Sequence, residues 1–123
     1  MPSVVLVIED DSELRVLYRT ALSLAGYTVI AVGDGLDALR RIDGGITPDI
    51  LVLDLGLPLL GGRDVYRELR AHANTTNVPI VLATGSDTSD LDPSDFVCIL
   101  KKPFDSDRLV AAVDDCLRKG REG

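Results

Sequence analysis

The sequence predicts a single doubly wound α/β domain, a five-stranded parallel sheet with helices on both faces, and three observations predict it. Five short apolar runs (Val4 to Ile8, Thr28 to Val32, Ile50 to Leu53, Val78 to Ala83, Phe96 to Leu100) alternate with stretches whose apolar residues recur at helical spacing. The alternation calls for right-handed crossovers that put helices on both faces of the sheet. Several runs are apolar throughout, as strands buried on both faces are. At 123 residues, with 46% hydrophobic and 4% aromatic residues, the chain has room for one aliphatic core and no second domain.

Val4-Val5-Leu6-Val7-Ile8 is the first strand and breaks into Glu9-Asp10-Asp11. Asp11 or Ser12 can cap a helix whose buried face carries Leu14, Leu17, Tyr18, Ala21, Leu22 and Ala25, and Gly26 ends it. After the Thr28–Val32 strand, Gly33-Asp34-Gly35 turns into a short helix marked by Leu36, Ala38, Leu39 and Ile42, which stops at Gly44-Gly45. The central stretch Pro48-Asp49-Ile50-Leu51-Val52-Leu53-Asp54 runs four apolar residues into one carboxylate, followed by Gly56 and Pro58. A loop with Gly61 and Gly62 leads to a third helix marked by Val65, Tyr66, Leu69 and Ala73. The fourth strand ends at Thr84-Gly85-Ser86. From Asp87 to Asp95 only Leu91 is apolar and Pro93 interrupts, so the fourth helix is expected to be short or degenerate. The fifth strand closes on Lys101-Lys102-Pro103-Phe104, and a last helix carries Leu109, Val110, Ala112, Val113, Cys116 and Leu117. The domain is expected to span 1–123, with a core over about 3–118 and a polar tail at 119–123 that reads as a linker or an added scar.

No apolar run approaches the roughly eighteen residues of a membrane span, and Met1-Pro2-Ser3 does not begin a signal peptide, so a cytoplasmic protein without a membrane partner is expected. Cys98 and Cys116 lie in apolar stretches without metal-ligand spacing and read as thiols in the core. A net charge of −7 argues against direct nucleic-acid binding, which rests on Lys and Arg neutralising phosphates.

Strand ends of an open α/β sheet share one rim, where ligands bind. Asp54 alone reads equally as a charge that ends a strand and as a reactive group. On the same rim the sequence puts Glu9 and Asp10, Thr84 and Lys102. Three crowded carboxylates suit a hard divalent cation such as Mg²⁺, which prefers oxygen ligands and retains waters. An ionised Asp can attack phosphorus, a Lys ammonium can neutralise phosphoryl oxygens and a Thr hydroxyl can hydrogen-bond one of them. Gly85 leaves the approach open.

These residues resemble the receiver domain of bacterial two-component response regulators. The likeness runs from Val4 through the last helix and rests on Glu9-Asp10, Asp54-Leu55-Gly56-Leu57-Pro58, Val78-Pro79 leading to Thr84-Gly85, and Lys102-Pro103-Phe104. The resemblance implies a flavodoxin-like strand order 2-1-3-4-5. It implies that Asp54 is the phosphoacceptor. Asp10, Asp54 and the Gly56 carbonyl would hold Mg²⁺, for which Mn²⁺ can substitute, and Glu9 would act through water. Thr84, Gly85 and Lys102 would meet the phosphoryl group, and a cis Lys102–Pro103 peptide would aim Lys102 inward. The phosphoryl donor would be a histidine kinase or histidine phosphotransfer domain. Such a receiver promotes its own phosphorylation and dephosphorylation and is not an enzyme with separate substrate turnover.

Two departures stand out. Receivers that switch output usually have an aromatic residue three positions before the Lys, and here it is Ile99; only seventeen residues separate Thr84 from Lys102. An atypical switch read out by the Asp87 to Asp95 loop, or a phosphate sink or relay, is the resulting expectation. The exposed start of the first helix near Leu14 and Arg15 is the candidate donor-docking surface. A partner-binding pseudo-receiver and an aspartyl-nucleophile phosphohydrolase are the alternatives. The hydrolase would need a second Asp two residues after Asp54, where Gly56 stands. Lys101, His72, Arg40, Arg41, Arg67 and Arg70 read as surface residues, and the oligomeric state is open.

Overall fold

A computed structural model describes residues 2–122, with side chains through Lys119. Five strands form one parallel sheet: β1 (Val4–Ile8), β2 (Thr28–Val32), β3 (Ile50–Leu53), β4 (Ile80–Thr84) and β5 (Cys98–Lys101), in the order β2-β1-β3-β4-β5. Four helices connect or follow them: α1 (Ser12–Leu24), α2 (Gly35–Asp43), α3 (Gly62–Ala71) and α4 (Ser106–Glu122). The strand order reverses between β1 and β3, so the crevice at their carboxyl ends is the natural ligand site.

Side-chain alternation divides the core in two. Val5, Val7, Ile50, Val52, Val81, Ala83 and Leu100 face α1 and α4, where Tyr18, Leu22, Leu109 and Val113 meet them. Leu6, Ile8, Leu51, Leu53, Ile80 and Leu82 face the opposite way, against Ala38 and Ile42 of α2 and Val65 and Leu69 of α3. Each such aliphatic side chain contributes about 1.5–3 kcal/mol on burial, and β3 is buried on both faces along its whole length. Asp11 caps α1 by accepting from the Glu13 and Leu14 amides, and Asp34 caps α2 by accepting from Asp37. Gly26 and Gly45, with φ of 101° and 107°, turn the chain out of α1 and α2 in the left-handed region.

Between β4 and β5 the described residues contain only a single 3₁₀ turn, Pro93–Asp95, as the scarcity of apolar residues predicts. Phe96 was expected to open the fifth strand, yet it precedes β5 and turns into the core, its ring 5.1 Å from that of Tyr66. Leu91 and Ile99 pack against the same cluster, so side chains cover the sheet where a helix would otherwise lie. The third helix is shorter than its apolar spacing predicts, because the chain turns extended at His72 and leaves Ala73 outside. Arg70 is not a free surface residue: it donates to the Thr75, Thr76 and Val78 carbonyls and lies over the Tyr66 ring. In the region expected to be a tail, α4 continues to Glu122; Gly123 lies outside the described residues. No described helix is long and apolar enough to cross a membrane.

Candidate functional site

The carboxyl ends of β1, β3, β4 and β5 bring the predicted rim residues together. Asp54 follows β3 and is 6% exposed, and Glu9 follows β1 at 1%. Asp10 is exposed beside them, and one carboxylate oxygen from each of Glu9, Asp10 and Asp54 lies within 4.8 Å of the others. This all-oxygen set fits a hard divalent cation such as Mg²⁺.

Lys102 Nζ stands 2.5 Å from Glu9 Oε1 and 2.9 Å from Asp54 Oδ2, tying the ends of three strands with one ammonium. The Lys102–Pro103 peptide is cis. The Phe104 ring beyond it stacks on Tyr18 of α1 at 5.7 Å between centroids, and burial pushes the Tyr18 hydroxyl up to about 12. Thr84 is fully buried, and its hydroxyl accepts from the Ser86 amide. The Gly56 amide donates to Asp54 Oδ1 at 3.0 Å.

The two buried carboxylates are tuned oppositely. Burial raises the Glu9 pKa above its ordinary 4.5, despite Lys102 and the Asp11 amide. Burial works the same way on Asp54. There the Gly56 amide, the Lys102 ammonium and the Thr84 hydroxyl outweigh it and hold the carboxyl below its ordinary 3.8, so Asp54 is ionised at neutral pH. The Lys102 ammonium, desolvated but doubly paired, is raised above 10.5 and stays charged.

Other predicted residues fall differently. Gly85 is exposed, and Ile99 is half-buried on the α2–α3 side. Leu14 is half-buried against the α1–α4 core. Arg15 turns back to the rim and donates from Nη1 to the Glu9 carbonyl at 2.9 Å and the Asp10 carbonyl at 3.3 Å. The exposed apolar groups of α1 are Val16, Leu17 and Leu24. Lys101 points away from the acids, as alternation predicts, and donates to the Ser86 carbonyl. His72 is half-buried and pairs with Asp43 away from the rim.

Sequence reasoning missed Ser86, two residues beyond Thr84, whose hydroxyl would stand 3.5 Å from a β-carbon on Gly56. It also missed Arg63, which grips Asp90 with two nitrogens and the Asp87 carbonyl with one, tethering the loop that follows Thr84. The alternating acids of that loop could have suggested a basic partner, but not which one.

Comparison with known proteins gives a consistent result. The family described as the response regulator receiver domain matches residues 5–114. The response regulator MprA of Mycobacterium ulcerans (strain Agy99) is 36% identical over 122 residues, a match covering 94% of this chain and 50% of the relative. The chain thus spans about half the length of the curated relatives it matches. Among solved structures, the chemotaxis response regulator CheY4 of Vibrio cholerae superposes with a TM-score of 0.81 at 22% identity, covering 94% of this chain and 98% of that one. The receiver domain of the Francisella response regulator 1452 gives 0.83 at 24%, covering 96% and 98%. At these identities the two structures speak for the fold.

Proposed function

The chain belongs to the response regulator receiver domain family, and from that premise we propose that it is a phosphoacceptor whose reactive group is Asp54. The observation that carries the reading is a buried carboxylate held ionised, with an ammonium at 2.9 Å and two further acids within 4.8 Å. Asp54 Oδ attacks the phosphorus of a phosphohistidine on a histidine kinase or histidine phosphotransfer domain. The P–O bond forms, the P–N bond breaks, and the imidazole leaves with a proton. Mg²⁺, for which Mn²⁺ can substitute, would be held by Asp10, Asp54 and the Gly56 carbonyl, with Glu9 reaching it through water, and would neutralise the acids and the phosphoryl oxygens. Lys102 pairs with one phosphoryl oxygen, Thr84 donates to another, and Gly85 leaves room for the group. Water later attacks phosphorus and releases phosphate, returning Asp54 unchanged, so no separate substrate is turned over. Residues 1–123 act as one receiver domain, in the cytoplasm.

The readout is atypical in this reading. Ile99 takes the usual aromatic position, and the loop after Thr84 is a tethered segment with one 3₁₀ turn. Phosphorylation is read out through that loop, or the domain serves as a sink or relay.

Beryllofluoride, which stands in for a phosphoryl group, tests the site by ¹⁹F NMR. A bound resonance that requires both Mg²⁺ and Asp54 is expected. No bound resonance in the wild type would leave a partner-binding pseudo-receiver.

A further inference from the structure

We propose that Arg15 is a positioning residue for the Glu9–Asp10 pair, and that Gly33 is the seat that admits its guanidinium. The inference rests on the reading of that pair as the Mg²⁺ site.

Arg15 reaches back from α1 and donates from Nη1 to the carbonyls of Glu9 and Asp10, the two residues that leave β1. A carbonyl fixed in direction fixes its peptide plane, and the plane sets where the adjoining side chains project. Arg15 thus holds the acids through their backbone, while the Lys102 ammonium grips the Glu9 carboxylate. The planar guanidinium suits this task better than a lysine's point charge, which can reach one carbonyl without fixing both.

Gly33 makes the arrangement possible. A β-carbon there would stand 3.0 Å from Arg15 Nη1 and 3.6 Å from Cζ. Its neighbour Val32 accepts the Glu9 amide at 3.1 Å, so the seat adjoins the same turn. A methyl group at Gly33 meets only the far end of a flexible side chain; it displaces the guanidinium, leaves the backbone and removes no charge.

The test is isothermal titration of Mg²⁺ into the unphosphorylated full chain. Arg15→Ala is expected to weaken Mg²⁺ binding on the order of tenfold, as loss of an outer-shell partner does. Gly33→Ala should weaken it in the same direction, and Arg15→Lys should recover part of the loss. The Arg15→Ala/Gly33→Ala double variant should match Arg15→Ala alone, because both act through one contact. Simple charge removal predicts the opposite sign, since deleting a cation near two acids tightens Mg²⁺. Unchanged or tighter binding in Arg15→Ala, or an unaffected Gly33→Ala, overturns the proposal. Normal Mg²⁺ affinity with slower transfer from a phosphohistidine donor alone would make Arg15 a docking residue instead. A wild type that takes up no Mg²⁺ defeats the reading of the site itself, and the inference with it.

Discussion

Gly62 packs against the backbone of Asp54: a β-carbon on Gly62 would stand 2.6 Å from the Asp54 carbonyl oxygen and 2.3 Å from Leu55 Cα. The Gly62 amide donates to the Leu55 carbonyl at 3.1 Å, so the start of α3 is stitched to the residue that follows Asp54. Gly62→Ala must shift backbone, and we expect it to cost about 1–3 kcal/mol in urea unfolding and to slow phosphorylation of Asp54 by acetyl phosphate. Nothing lies within 4 Å of a β-carbon on Gly61, the helix cap. Gly61→Ala should cost under about 1 kcal/mol and leave phosphorylation near wild type. Equal effects of the two substitutions would remove the packing argument.

Glu9 and Asp54 predict opposite slopes of stability with pH in metal-free buffer. Native Glu9 holds its proton to a higher pH than unfolded Glu9, so the stability this gives is lost as pH rises from 4.5 through the raised native value. Native Asp54 loses its proton below the ordinary 3.8, so its contribution is complete above 3.8 and is lost as pH falls through the native value. Urea titrations across acidic pH should show Glu9→Gln flattening the upper window and Asp54→Asn the lower. Slopes that both variants leave untouched would contradict the assignment.

Arg63 and Lys101 tie down the loop after Thr84 from two sides, Arg63 through Asp90 and the Asp87 carbonyl, Lys101 through the Ser86 carbonyl at 2.6 Å. The Arg63–Asp90 pair is exposed, so Arg63→Ala should barely move the melting temperature. Amide exchange in the 86–92 segment should nevertheless rise, because the tether is local. With beryllofluoride bound, wild-type exchange should change most in the same segment. A large change confined to β5 and α4 would count against a readout through this loop.

Much of this was legible in the sequence, for physical reasons that differ by residue. Glu9, Asp10, Asp54, Thr84 and Lys102 could be gathered onto one rim because each ends an apolar run, and parallel strands put those ends together. The missing helix was legible because Asp87 to Asp95 offers one apolar residue. The inward turn of Arg15 was not, since its acceptors are backbone carbonyls that leave no mark on composition. Arg70 was hidden in the same way. Phe96 misled because an apolar residue at the head of an apolar run reads as strand, whereas its ring is needed against Tyr66. The tight contact at Gly62 shows only once α3 is packed against β3.

Phosphoryl transfer to Asp54 with Mg²⁺ is read out by intact-mass spectrometry after incubation with acetyl phosphate. Wild type, Asp54→Asn and metal-free wild type should be run side by side. One added phosphoryl group is expected in the wild type with Mg²⁺, and none in either of the other two. An adduct of equal yield on Asp54→Asn, or one formed as readily in chelator, would contradict it.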